Sequence, residues 1–134
     1  MTVSKAIIEW LKGFNSLDKI NTDIQGPKVD TFALVKTPVK NVKTFISGKK
    51  IHTEHYMIQA RLSSNDNLDR ADNLDFGDRL EEYVRNKNRA EEFPEIPDAT
   101  VKEIEITTPF YLGMVDNNSS VYQMTIAIEY EKEK

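Results

Sequence analysis

The stretch from Val101 to Tyr130 constrains this chain more than any other. It reads Val101-Lys-Glu-Ile-Glu-Ile-Thr-Thr-Pro-Phe-Tyr-Leu-Gly-Met-Val115, then Asp116-Asn-Asn-Ser-Ser120, then Val121-Tyr-Gln-Met-Thr-Ile-Ala-Ile-Glu-Tyr130. Two alternating runs flank a cluster of turn formers, which is the pattern of a long β-hairpin. Strand side chains alternate with period two. Tyr122, Met124, Ile126, Ile128 and Tyr130 therefore share one face, and Gln123, Thr125, Ala127 and Glu129 the other. In the first run Ile104, Ile106, Thr108, Phe110 and Leu112 lie together, opposite Glu103, Glu105 and Thr107. One face packs and one is wet, as in a half-buried antiparallel pair. The hairpin reads as a scaffold without chemistry of its own.

The remaining chain supplies what this hairpin packs against. Residues 3–14 predict a helix, because Ile7, Trp10, Leu11 and Phe14 form one stripe of a 3.6-residue period, with Val3 a turn earlier. Thr2 or Ser4 can cap its start, and Gly13 with Asn15 can end it. A tryptophan on such a helix suits a partner or membrane anchor, but a helix laid on a sheet explains the stripe more simply. Glu9 with two lysines gives too few charges for a membrane-surface helix. Residues 15–28 read as a turn-rich loop. Val29 to Lys36 reads as a strand that Pro38 interrupts. Val39–Ser47 and Ile51–Leu62 form a second hairpin around Ser47-Gly48-Lys49-Lys50, with Gly48 supplying the positive φ of a tight turn. Tyr56, Ile58, Ala60 and Leu62 make its packed face. The polar Ile51–His55 segment is expected to project beyond the sheet. A second helix runs from about Asn73 to Ala90 on the stripe Phe76, Leu80, Tyr83, Val84 and Lys87. Gly77 inside that stripe implies close packing, and Pro94 and Pro97 end the helix. The expected fold is α+β: a mostly antiparallel sheet of about five strands, two helices on one face, order α-β-ββ-α-ββ. Trp10, Phe14, Leu80, Val84, Ile104, Ile106, Ile126 and Ile128 are its predicted core.

A chain of 134 residues fits one domain, 1–134. Its apolar share of 39% is lean and its charged share of 30% rich, which suits a thin layer architecture with much exposed surface or a protein completed by partners. The net charge of −4 argues against a general nucleic-acid binder. The absence of cysteine removes disulfides, thiolate metal sites and cysteine nucleophiles. With no signal-like start and no apolar run near the roughly 20 residues of a membrane span, a soluble intracellular protein is expected.

Three residue clusters invite a chemical reading. His52, Glu54 and His55 contain the chain's two histidines, but on a strand His52 and Glu54 face one way and His55 the other, so no metal is expected. Asp66, Asp69, Asp72, Asp75 and Asp78 recur every third residue, unlike the alternate spacing of a calcium loop, and read as helix-start charges. Lys36, Lys40, Lys43, Lys49 and Lys50 form a basic stretch around Phe45 and Ile46. Lysines protect strand edges from wrong pairing, and the lack of arginine there favours that role or a protein partner over phosphate contact. No phosphate loop, nucleophile elbow or paired catalytic carboxylate falls on a strand-to-helix turn, so neither an enzyme nor a cofactor is expected.

Three segments carry a family likeness: Thr2-Val-Ser-Lys-Ala-Ile-Ile-Glu-Trp-Leu-Lys12, Val39-Lys-Asn-Val-Lys-Thr-Phe-Ile-Ser-Gly48, and Thr108-Pro-Phe-Tyr-Leu-Gly113 with Asn117-Asn-Ser-Ser-Val-Tyr-Gln123. In this order they resemble small prophage proteins of Firmicutes in the head–tail module, tail terminators sometimes labelled minor capsid proteins. The resemblance spans nearly the whole chain and rests on packing and turn residues. It implies a non-enzymatic virion-assembly subunit that forms a ring, usually a hexamer. Such a ring caps the tail tube, stops its polymerisation and meets the head–tail connector. It would assemble in the bacterial cytoplasm and end in the virion tail. Excess carboxylate would suit a channel passing DNA, because like charge disfavours phosphate binding. Subunit or tube contacts are expected at Phe45, Ile46, Lys49, Lys50, Ile51 and His52 in one hairpin tip, and at Asp116, Asn117 and Asn118 in the other loop. A connector or neck protein of the same module is the nearest rival. A small nucleic-acid-binding domain using the lysines and Phe45 is the more distant one.

Overall fold

The computed structural model describes residues 2–14, 20–22, 31–63, 67–115 and 119–132. Helix α1 (Val3–Leu11) is followed by β1 (Ile20–Thr22), β2 (Thr31–Thr44), β3 (Lys50–Ser63), α2 (Asn67–Arg89), β4 (Ala99–Val115) and β5 (Ser119–Lys132). The strands form one sheet in the order β1-β2-β3-β5-β4. β1 runs parallel to β2, and every other neighbouring pair is antiparallel. The fold is α+β, with both helices on one face.

That face follows from the alternation. Tyr56, Ile58 and Leu62 of β3 and Tyr122, Met124, Ile126, Ile128 and Tyr130 of β5 are buried, and they join Ile7, Leu11, Phe76, Leu80 and Val84 of the helices in one core. Of the predicted core, Leu80, Val84, Ile104, Ile126 and Ile128 are fully enclosed, while Trp10, Phe14 and Ile106 pack half-buried around them. Thr2 caps α1, its hydroxyl accepting the Lys5 N–H at 3.2 Å. The helix stops at Leu11, short of the expected 14. A tighter turn, in which the Phe14 N–H donates to the Leu11 carbonyl at 2.9 Å, lays Phe14 across Phe76 and Tyr83. α2 begins earlier than expected and ends before its prolines. Glu91 takes a left-handed φ of 58°, and the Glu92 N–H donates to the Lys87 carbonyl at 2.9 Å, which closes the last turn. Gly77 packs against Phe110, as its place in the stripe implies: a Cβ there would stand 2.2 Å from the ring.

Four expectations are corrected. Ile20–Thr22, inside the predicted loop, form β1; a three-residue strand is too short to show a period. Pro38 does not end a strand. β2 runs through it, with a register shift between Lys36 and Lys40, and β1 pairs with only Phe32–Leu34, so Pro38 sits at an irregularity on an open edge where its missing N–H costs little. The Ile51–His55 segment does not project, because each of its residues is paired with β5, from Ile51 opposite Glu131 to His55 opposite Ala127. Thr108 leaves the packed face: register shifts on both sides of it set it opposite Thr125 on the helix-free face.

Candidate functional site

Large exposed apolar side chains among the described residues, apart from Leu74, collect in two places. The first is the turn between β2 and β3. The Phe45 N–H donates to the Lys49 carbonyl and the Gly48 N–H to the Phe45 carbonyl, each at 2.9 Å, with Gly48 at φ 90°. This turn lifts Ile46 fully into solvent beside half-exposed Phe45 and Val42. Lys43, Lys49 and Lys50 are exposed around them. Lys49 is tied down by Glu131 at 3.3 Å, and Lys102 of β4 holds the same carboxylate at 3.1 Å. These two lysines hold the Glu131 carboxyl below the usual glutamate range.

The second place is the far end of β4, where Tyr111, Leu112, Met114 and Val115 are exposed. Leu112 is paired with Tyr122 and Met114 with Val121, so the apolar groups occur on both faces of the hairpin. The two places lie at opposite ends of the sheet. Thr44, Lys50, Lys132 and Ala99 are level at one end; Val115, Ser120 and Leu62 are level at the other. They also lie on opposite margins, since β4 is one edge and β2 is the other beyond the reach of β1. Part of the β4 edge is closed: the Asn88 side-chain oxygen of α2 accepts the Ile104 N–H at 2.9 Å.

Of the residues expected at contacts, Phe45, Ile46, Lys49 and Lys50 share the exposed tip. Ile51 and His52 do not belong to it. They are half-buried within the sheet, and His52 stacks on Tyr130 with ring centres 5.1 Å apart. Asp116, Asn117 and Asn118 lie outside the described residues. Val42 and the run from Tyr111 to Val115 were not singled out from the sequence. The signal for that run is the loss of alternation after Phe110, where both faces turn apolar together.

Beneath the tip lies a buried carboxylate. Glu54 is 2% exposed and accepts hydrogen bonds from Tyr56 at 3.1 Å and from Tyr130, with Lys36 paired to it at 2.9 Å. Burial alone pushes its pKa up. The hydrogen bonds from Tyr130, Lys36 and Tyr56, together with the Lys36 charge, outweigh that and hold it below the ordinary value. The Tyr130 phenol is pushed well up, by burial and then by the neighbouring carboxylate. This is a closed ionic network that ties β2, β3 and β5 together at the root of the hairpin. Its carboxylate is turned inward, away from any reactant in solvent.

Among the described residues, no group of three or more His, Asp or Glu side chains converges to hold a metal ion, and no helix is long and apolar enough to cross a membrane. Asp72, Asp75 and Asp78 are exposed on α2, where Asp75 pairs with Arg79 at 3.1 Å; Asp66 and Asp69 have no described side chains. Neither a scan against protein-family models nor a search of curated proteins finds a match to this chain.

Proposed function

We propose that this chain is a non-enzymatic structural protein of a phage or prophage tail, a terminator subunit that joins others in a ring and caps the tail tube below the head connector. The observation that carries the reading is the placement of two different exposed apolar hairpin ends at opposite ends and opposite margins of one sheet. A subunit that meets a like neighbour sideways and other proteins above and below needs unlike contact surfaces, separated in this way. The sequence likeness to tail terminators supports the same assignment. Two lysines of the basic stretch, Lys36 and Lys49, are engaged by Glu54 and Glu131, which favours protein contacts over a phosphate-reading arm. Assembly would take place in the bacterial cytoplasm and leave the protein in the virion tail.

The test is electron microscopy of tails made in a host lacking this protein. Over-long tails that fail to join heads are the expected result. Tails of normal length with unattached heads would assign the chain to the connector, and normal infectious particles would overturn the reading.

A further inference from the structure

On the helix side, α1 and the link between α2 and β4 enclose a groove of about 540 Å³. Ala6, Trp10, Phe93 and Ile96 supply its apolar lining, and Glu9 and Glu95 bring carboxylates to it. The lining is held in place before anything binds. The Trp10 indole N–H donates to the Glu92 carbonyl at 2.7 Å, and the Tyr83 hydroxyl donates to the Trp10 carbonyl at 2.7 Å. Its size falls within the roughly 300–1,000 Å³ of sites that enclose an organic group.

We infer that this groove receives the Phe45–Ile46 tip of a second copy of the chain. The inference rests on the ring reading for the identity of its occupant and adds the residues that meet. Charge complementarity is the first argument. The tip offers two apolar side chains beside exposed Lys43 and Lys50, whereas the groove is an apolar floor with exposed Glu95, flanked in the same link by exposed Glu91 and Asp98. Lys49 and Glu9 are already held within the chain by Glu131 and Lys12. The far end of β4 is equally apolar but has no lysine between Thr107 and Val115, so it lacks the matching charge.

Level is the second argument. The link enters β4 at Ala99, which pairs with Lys132, and Lys132 pairs with Lys50 at the foot of the tip. Tip and groove therefore stand at the same end of the sheet. A rotation about an axis parallel to the strands keeps that level and brings the tip of one copy to the groove of the next. The contact is heterologous, because knob and groove are different surfaces, so repetition closes a ring or extends a filament.

The chain has no cysteine, which makes a disulfide trap specific. Full-length Ile46→Cys and Glu95→Cys chains are mixed, oxidised and run without reductant, over concentrations up to the solubility limit. The expected result is a bridge between the two variants and, for the double variant, a ladder of linked copies. Phe45→Ser should weaken association by about tenfold or more, as for a central apolar anchor. Lys50→Glu and Glu95→Lys should each weaken it, and the pair together should restore it. Oligomers by light scattering without a 46–95 bridge would overturn the inference and leave the ring reading intact. A monomer at every concentration, with the cysteines unbridged, would overturn it too, and the ring reading would then be judged on tail length alone.

Discussion

Glu54 on β3 accepts a hydrogen bond from the hydroxyl of Tyr130 on β5, a residue 76 positions away. With Lys36 on β2 paired to the same carboxylate, three strands are joined through one buried charge. Removing the carboxylate leaves its donors facing a cavity. Glu54→Ala should therefore cost about 2–4 kcal/mol, less than a fully buried pair because Lys36 is half exposed, and Tyr130→Phe about 1–2 kcal/mol. Urea unfolding of the two variants checks the order.

The same network sets a pH dependence with a definite sign. Glu54 has a folded-state pKa below its ordinary value of 4.5, so its contribution is present above 4.5 and is lost as the pH falls through the lowered value. Tyr130 has a raised pKa, so its contribution is present below its ordinary value of 10.0 and is lost as the pH rises from there. Unfolding midpoints measured across acid and alkaline ranges should fall at both ends. Glu54→Gln should flatten the acid limb, and Tyr130→Phe the alkaline one.

Gly77 gives a test of packing against propensity. Alanine is favoured over glycine inside a helix by about 1 kcal/mol. At this position the added carbon would lie 2.2 Å from the Phe110 ring, which is itself stacked on Tyr122. Overpacking of that kind costs about 1–3 kcal/mol, so Gly77→Ala should destabilise. Adding Phe110→Leu should recover part of the loss, measured as a shift in urea midpoint at constant slope.

The fold was largely legible because its periods are long and regular. Tyr122 to Tyr130 and Tyr56 to Leu62 alternate cleanly, and Phe76, Leu80 and Val84 keep helical spacing, so both helices and both hairpins could be read locally. What escaped depends on partners distant in sequence. The displacement of Thr108 is set by register against β5, and the continuity of β2 through Pro38 by an irregularity on an open edge. The burial of Glu54 needed Lys36 and Tyr130, which no local pattern associates with it. The exposed tip was legible at Phe45 and Ile46 because a glycine turn marks it. The groove was not, since Phe93 and Ile96 read as ordinary residues of a proline-rich link until α1 is laid beside them.

The far end of β4 separates contact from stability. Leu112 is 49% exposed and Met114 is 58% exposed, so serine at either position removes little buried surface and should change folding stability by no more than about 0.5 kcal/mol. Their pairing with Tyr122 and Val121 sets them on opposite faces of the hairpin. A partner that encloses the hairpin end would need both, whereas one that lies against a single face would need one. If this end meets the tail tube, Leu112→Ser and Met114→Ser should each yield over-long tails while unfolding like the parent chain. Tail-length distributions by electron microscopy, beside urea unfolding of the purified variants, supply the two readouts. An effect confined to Met114 would put the tube on the helix-free face; an effect confined to Leu112 would put it on the helix side. Normal tail lengths in both variants would move the tube contact away from this hairpin.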